Sequence, residues 1–269
     1  GSSGHLCGGI LLSAILGPYA GFLTMIGILL TQCLFFADGG LLALGCNIWN
    51  MAFYGCFIGS FLIWKPMMKG GITKTKIIIA SIVASVITLQ MGAFSVVLET
   101  TISGISELPF SSFVSVMLPI HLAIGFVEGV VSAAVLCFIH SARPELLWCS
   151  DPQSEGKGTM SLKKTLTVMS VITLFVGGVL SLFASAFPDG LEWSIGKMIG
   201  DAEIVNGADP YAAAEQIQST TSFLPDYGFA GSDSALGTTV SGIVGCLIVV
   251  AICFAVAYLF KFFRKRKEA

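Results

Sequence analysis

The sequence predicts an all-α fold, a polytopic bundle of about seven transmembrane segments, and three observations predict it. Of 269 residues, 55% are hydrophobic and only 11% charged, with a mean hydropathy of +0.87, a composition foreign to water-soluble domains. Charge-free runs recur at lengths near the roughly 20 residues that a helix needs to cross a hydrocarbon core about 30 Å thick. Period-two alternation is absent, and the runs are too long for barrel strands.

Residues 6–16 form a short apolar piece that ends at Gly17-Pro18. It is too short to span as a helix, but a broken helix is tolerated in a bundle where protein covers its loose backbone. Charge-free spans follow at 19–36, 46–64 and 77–98, and again at 165–187 and 239–260. Between them, 111–139 is interrupted only by His121 and Glu128. Seven segments result.

Orientation follows from lysine and arginine, which stay on the cytoplasmic side. The loop 65–76 carries Lys65, Lys69, Lys74 and Lys76; 141–164 carries Arg143, Lys157, Lys163 and Lys164; the tail carries Lys261, Arg264, Lys265, Arg266 and Lys267. Connections 37–45 and 99–110 hold only the acids Asp38, Glu99 and Glu107, and 188–238 holds eight acids against Lys197. With seven alternating segments, the tail is expected in the cytoplasm and the Gly1 to His5 end outside.

Three glycine pairs at a spacing of four, Gly17 with Gly21, Gly55 with Gly59 and Gly125 with Gly129, suit close helix approach. The eight cysteines form no CxxC pair and read as small apolar filler. Asn47, Asn50, Gln32 and Gln90 read as packing amides. His121 and Glu128 lie seven residues apart, hence nearly on one helix face, just after Pro119, which is expected to kink that helix. A possible polar pathway, used as a proton relay or ion path, is one reading of the pair; an interhelical hydrogen-bonding pair is the other.

No HExxH, phosphate-binding GxxxxGK[ST] loop or GxSxG elbow is present, so any ATP hydrolysis belongs to another chain. An intramembrane enzyme would have only His121 and Glu128 to work with. Basic patches interleaved with aromatics are missing too, which excludes nucleic acid as a partner. The acidic segment 188–238 reads as a solvated outer loop, with Pro188-Asp189-Gly190 as a tight turn.

Three stretches, "SGHLCGGILLSAILGP" at 3–18, "ADGGLLALGCNIWNMAFYGCFIG" at 37–59 and "LPIHLAIGFVEGVVSAAVL" at 118–136, resemble the CbiM/NikM family. Its members are the substrate-binding membrane components of energy-coupling-factor transporters for cobalt and nickel. "FPDGLEWS" at 187–194, followed by a segment containing "FLPDYGF" and a final helix, resembles the small NikN-type PDGLE auxiliary subunit. The resemblance implies a metal-binding membrane domain over 1–140, a cytoplasmic linker over 141–164, and a two-helix auxiliary domain over 165–269 with an external loop at 188–238.

In that family the histidine of the SGHL motif is a metal ligand, and it corresponds to His5. Remaining ligands are expected from an amino terminus that this sequence lacks, together with two preceding helices. The resemblance implies uptake of Ni2+ or Co2+ as substrate, no resident cofactor, a membrane coupling component and cytoplasmic ATPase subunits as partners, and a multi-pass place in the cell membrane. For the auxiliary half it implies metal loading or gating. A membrane scaffold without a ligand is the competing class.

Overall fold

The structure, a computed structural model, describes residues 6–104, 109–185, 187–200, 209–231 and 234–268. The regular elements among the described residues are all helices, with no strand among them. In chain order they form α1 (Gly9–Leu16), α2 (Pro18–Phe36), α3 (Leu44–Met68), α4 (Lys74–Ser103), α5 (Phe110–Ala142), α6 (Leu162–Gly178), α7 (Gly190–Ile199), α8 (Asp209–Thr221) and α9 (Leu236–Glu268). Six of them, α2 to α6 and α9, α6 counted with its 3-10 extension to Phe183, are long and apolar enough to cross a membrane.

The seventh expected segment is α1, whose eight residues cover only about 12 Å. Its two ends show how a half-length helix is accommodated. Past its last turn, the Ala14 carbonyl accepts from the Trp148 N–H at 2.8 Å, and the Trp148 indole lies where a Cβ on Gly17 would meet it at 3.3 Å. The helix therefore ends beside the basic 141–164 segment. At its start stands Gly8, in a left-handed conformation (φ 76°) that glycine adopts without steric cost, and before it Leu6 and Cys7 continue outside any helix. Six full-length helices and one half-length helix with a non-helical lead thus stand among the described residues where the sequence has six long runs and one short apolar piece.

The described chain divides into two compact units. The first comprises residues up to Met25, then Gly45–Leu166 and 185–206. Its centre is the α4–α5 pair, with α3 and α1 against it. Gly125 and Gly129 sit where an added Cβ would lie 3.0 Å from Val86 Cα and 2.5 Å from Ile82 Cα. A Cβ on Gly55 would lie 3.0 Å from Gly9 Cα and one on Gly21 2.9 Å from Ser13 Cα, while Gly59 fits against Ile10 and Thr88. All three glycine pairs of the sequence stand at close contacts. Around them Ile10, Ala14, Trp64, Met68, Ile77, Ala84 and Leu136 form a buried cluster.

Within α3, residues Ile48–Trp64 take i→i+5 pairing over 17 residues, a long run for a form that usually appears as a single turn. The wider turn aligns residues four apart, so Trp49 stacks on Phe53 at 4.3 Å, Phe53 meets Phe57 at 5.4 Å, and Phe57 stacks on Phe61 at 6.2 Å. α5 runs through Pro119 without a break in the helix. Beside that proline, Gln90 Nε2 donates to the Leu118 carbonyl at 2.8 Å.

The second unit comprises Ile26–Leu44, Thr167–Ala184 and Gly207–Ala269. Its helices meet through small residues. A Cβ on Gly242 of α9 would fall 2.0 Å from the Gly177 carbonyl oxygen of α6, and Thr239 Oγ1 donates to the Gly178 carbonyl at 2.8 Å. The connection expected as a loop over 188–238 holds the helices α7 and α8.

Candidate functional site

His5, the expected metal ligand, lies outside the described residues. What is described is the backbone that follows it. Glu128, on the inner face of α5 and only 2% exposed, accepts two hydrogen bonds from that backbone. The Cys7 N–H donates to Oε2 at 2.7 Å and the Gly8 N–H to Oε1 at 3.2 Å. Non-helical backbone inside a bilayer must find partners within the protein, since each unmet amide costs several kcal/mol. A carboxylate is the stronger choice of partner, because hydrogen bonds to an ionised acceptor are about twice as strong as neutral ones. It also faces the positive end of the α1 dipole.

The depth of this contact follows from α5. Glu128 lies 14 residues before the helix end at Ala142, hence roughly 20 Å along the axis, deep in a core about 30 Å thick. Around the same backbone, Gly9 packs on Gly55 and its carbonyl accepts from Cys56 Sγ at 3.5 Å. Among the described residues no three His, Cys, Asp or Glu side chains gather closely enough to hold a metal.

His121 and Glu128 share a face but do not meet, being seven residues and roughly 10 Å apart along α5. His121 Nδ1 pairs with the Met117 carbonyl at 2.8 Å. Its ring lies against the backbone of the PDGLE motif, where a Cβ on Gly190 would fall 3.0 Å from His121 Cε1. Each part of that motif has a local task. Asp189 caps α7, its Oδ1 accepting from the N–H groups of Leu191 and Glu192, both at 2.8 Å; Glu192 Oε2 returns the favour to the Asp189 N–H at 3.4 Å. This reciprocal capping box starts the helix. Gly190 leaves room for His121. Leu191, Ile195 and Met198 then pack on the buried cluster of Ala93, Val97, Phe113 and Met117. The tight turn read at Pro188-Asp189-Gly190 is the beginning of a docked helix.

Two further polar contacts escaped the sequence reading. Asn50 Nδ2 donates to Glu99 Oε2 at 2.9 Å, joining α3 to α4. In the second unit the "FLPDYGF" segment closes on the end of α2. Tyr227 donates its hydroxyl to Asp38 Oδ2, Gln32 Nε2 approaches both at 3.3 Å, and Phe36 stacks on Tyr227 at 4.9 Å. Gln218 Nε2 donates to the carbonyls of Cys33 and Gly39 at 3.1 and 2.8 Å. Burial first, then the Asp38 charge, raises the Tyr227 hydroxyl above its ordinary pKa. The only sequence signal for this contact was that both stretches were motifs.

A family model described as the cobalt uptake substrate-specific transmembrane region matches residues 1–146, and a PDGLE domain model matches 163–262. A NikMN protein of Archaeoglobus fulgidus is 32% identical over 259 residues, covering 95% of this chain and 77% of that one. The fused nickel transport protein NikMN of Rhodobacter capsulatus is 26% identical, covering 93% and 78%. The cobalt transport protein CbiM of Sorangium cellulosum is 29% identical over 147 residues, covering 55% and 65%. No solved structure matches. In this chain a domain of the first kind, spanning more than half of its length, is followed by a domain of the second, and the chain belongs to the CbiM family of cobalt-uptake transmembrane proteins, fused to a PDGLE domain.

Proposed function

We propose that this chain is the substrate-binding membrane component of an energy-coupling-factor transporter that takes up Ni2+ or Co2+ across the cytoplasmic membrane. His5 supplies an imidazole ligand, and further nitrogen donors come from the amino-terminal side. Neutral imidazole suits both ions, and nitrogen ligation in a square plane favours nickel. The relatives that share both domains, NikMN of Rhodobacter capsulatus among them, are named for nickel transport, which also supports nickel. Metal enters from the outer side, binds at mid-depth, and leaves inward when ATP hydrolysis on cytoplasmic partner subunits reorients the component through a membrane coupling protein. A polar pathway runs along the face of α5 that carries His121 and Glu128. The PDGLE domain, whose α7 packs beside His121, serves loading or gating.

The observation that carries this reading is the Glu128 contact. A non-helical segment is held at mid-depth in a bundle by a buried carboxylate, two residues from a histidine in a motif of the family. Such an arrangement serves a site and is otherwise only costly.

The test is metal content by mass spectrometry on protein produced with its native amino terminus and exposed to equal nickel and cobalt. Stoichiometric metal is expected, absent from the His5→Ala variant, with the ratio naming the ion. Metal retained by that variant would remove His5 from the site. No metal on the unaltered protein would leave a membrane scaffold as the better reading.

A further inference from the structure

We infer that Glu128 is a positioning residue, the acceptor that fixes the amino-terminal segment and with it the geometry of the metal site. The inference rests on the reading above for the metal, but not for the clamp itself. Glu128 acts through the backbone of Cys7 and Gly8, whose N–H groups it accepts from.

The geometry leaves the carboxylate little else to do. Both oxygens are engaged, one by the Cys7 N–H at 2.7 Å and the other by the Gly8 N–H at 3.2 Å, across more than a hundred residues of sequence. It stands in the small-residue seam of α5, one residue before Gly129, which abuts Ile82 of α4. With α4 pressed against it there, α5 is held where it presents the carboxylate. Gly8 takes a left-handed turn that aims two successive N–H groups at one carboxylate. His5 follows two residues upstream, so at most about 7 Å of chain separates its Cα from that of Cys7. A clamp on Cys7 and Gly8 therefore limits how far from them a ligand at His5 can reach. Groups that orient metal ligands without touching the metal typically affect affinity by about 10- to 100-fold.

Glutamine at this position keeps the shape and one acceptor oxygen but replaces the other with an NH2 group, which cannot accept from an amide. Alanine removes both acceptors. The experiment combines hydrogen–deuterium exchange with titration by Ni2+ alone, on the full chain in nanodiscs. In Glu128→Ala, exchange of a peptide covering residues 6–9 should rise at least about 10-fold while peptides from α4 and α5 keep their protection. Nickel affinity should fall by about 10- to 100-fold, with a changed visible absorption spectrum of the metal that reports altered ligand geometry. Glu128→Gln should lie between Glu128→Ala and the unaltered protein in all three readouts.

Unchanged exchange at residues 6–9 would overturn the inference. So would equal loss of protection in α4 and α5, which would make Glu128 a general packing element. A released segment with unaltered nickel affinity and spectrum would overturn the positioning role. If the unaltered protein binds no nickel, the proposed substrate falls, and the exchange measurement alone decides whether Glu128 anchors the segment.

Discussion

The helices of the two units are made of similar residues and are packed in opposite ways. In the first unit, half of the most apolar stretch of α4 is buried within the protein, at a mean hydropathy of 2.1. In the second, α9 is more apolar, at 2.9, and none of its corresponding stretch is buried. Hydrophobicity therefore does not decide which helix lies inside. In lipid it offers no drive for one helix to prefer another over acyl chains; close packing through small residues and interhelical hydrogen bonds does. α4 has both, in the seam opposite Gly125 and Gly129 and in the Asn50–Glu99 bond. α9 has one crossing of this kind, with Gly242 against Gly177 and Thr239 bonded to the Gly178 carbonyl, and its long apolar flanks are left to lipid or to partner chains.

Glycine substitution is the strongest way to break this comparison. Gly129→Ala would place a methyl 2.5 Å from the Ile82 backbone, so α4 and α5 must separate. Overpacking of this kind costs about 1–3 kcal/mol, and the expected result is a lowered Tm with loss of metal binding. Gly242→Ala creates a comparable clash with the Gly177 carbonyl. Because it lies in the lipid-facing unit, exchange should rise in α6 and α9 while α4 and α5 keep their protection. Equal effects of both substitutions on both units would show that the molecule unfolds as a single cooperative body.

Tyr227→Phe sharpens the same contrast through pH. The Tyr227 hydroxyl has a raised pKa in the folded protein, so the folded state holds that proton more tightly than the unfolded state does. Its contribution is therefore constant below the ordinary tyrosine value of about 10 and is lost as pH rises above it. Stability of the second unit should be flat across neutral pH and fall above about pH 10. The phenylalanine variant should be less stable by about 1 kcal/mol at neutral pH and should show a shallower alkaline decline. An identical decline in both proteins would exclude the Tyr227–Asp38 contact as its source.

The smallest effect is expected at the PDGLE motif. Asp189→Ala removes the cap of α7, at a cost of about 1 kcal/mol or somewhat less. Exchange should rise in residues 190–199, with little change in overall Tm. A variant that keeps full protection of α7 would show that packing of Leu191, Ile195 and Met198 on α4 and α5 suffices without the cap.

Much of this was legible before the structure. A membrane helix must satisfy its own backbone and present apolar side chains over a fixed length, so composition and run length locate the spans directly. α2 through α6 and α9 fall where the runs do. The glycine spacings also carried real information, since every glycine of the three pairs is found at a close approach. The half-length α1 was harder to place, because a break in a helix is recognisable in sequence while the partner that makes the break tolerable is not. Glu128 was visible as an expensive group inside a span, with a relay or a hydrogen-bonding pair as its possible uses. Its partners are backbone amides more than a hundred residues away, and an amide has no side-chain signature to read.

The same division holds for the PDGLE motif and for the auxiliary half. Aspartate before a helix with glutamate three residues on is a local pattern, set by the reach of two side chains, and it could be read as a capping box from sequence alone. That the helix docks beside His121 depends on shape complementarity between surfaces far apart in the chain. The sequence by itself determined the membrane class, the spans and the family, because each follows from local composition or contiguous motif. Only the tertiary structure decided that Glu128 clamps Cys7 and Gly8, that Gly190 makes room for His121, and that Tyr227 closes on Asp38, because hydrogen bonding and close packing select partners by position in space.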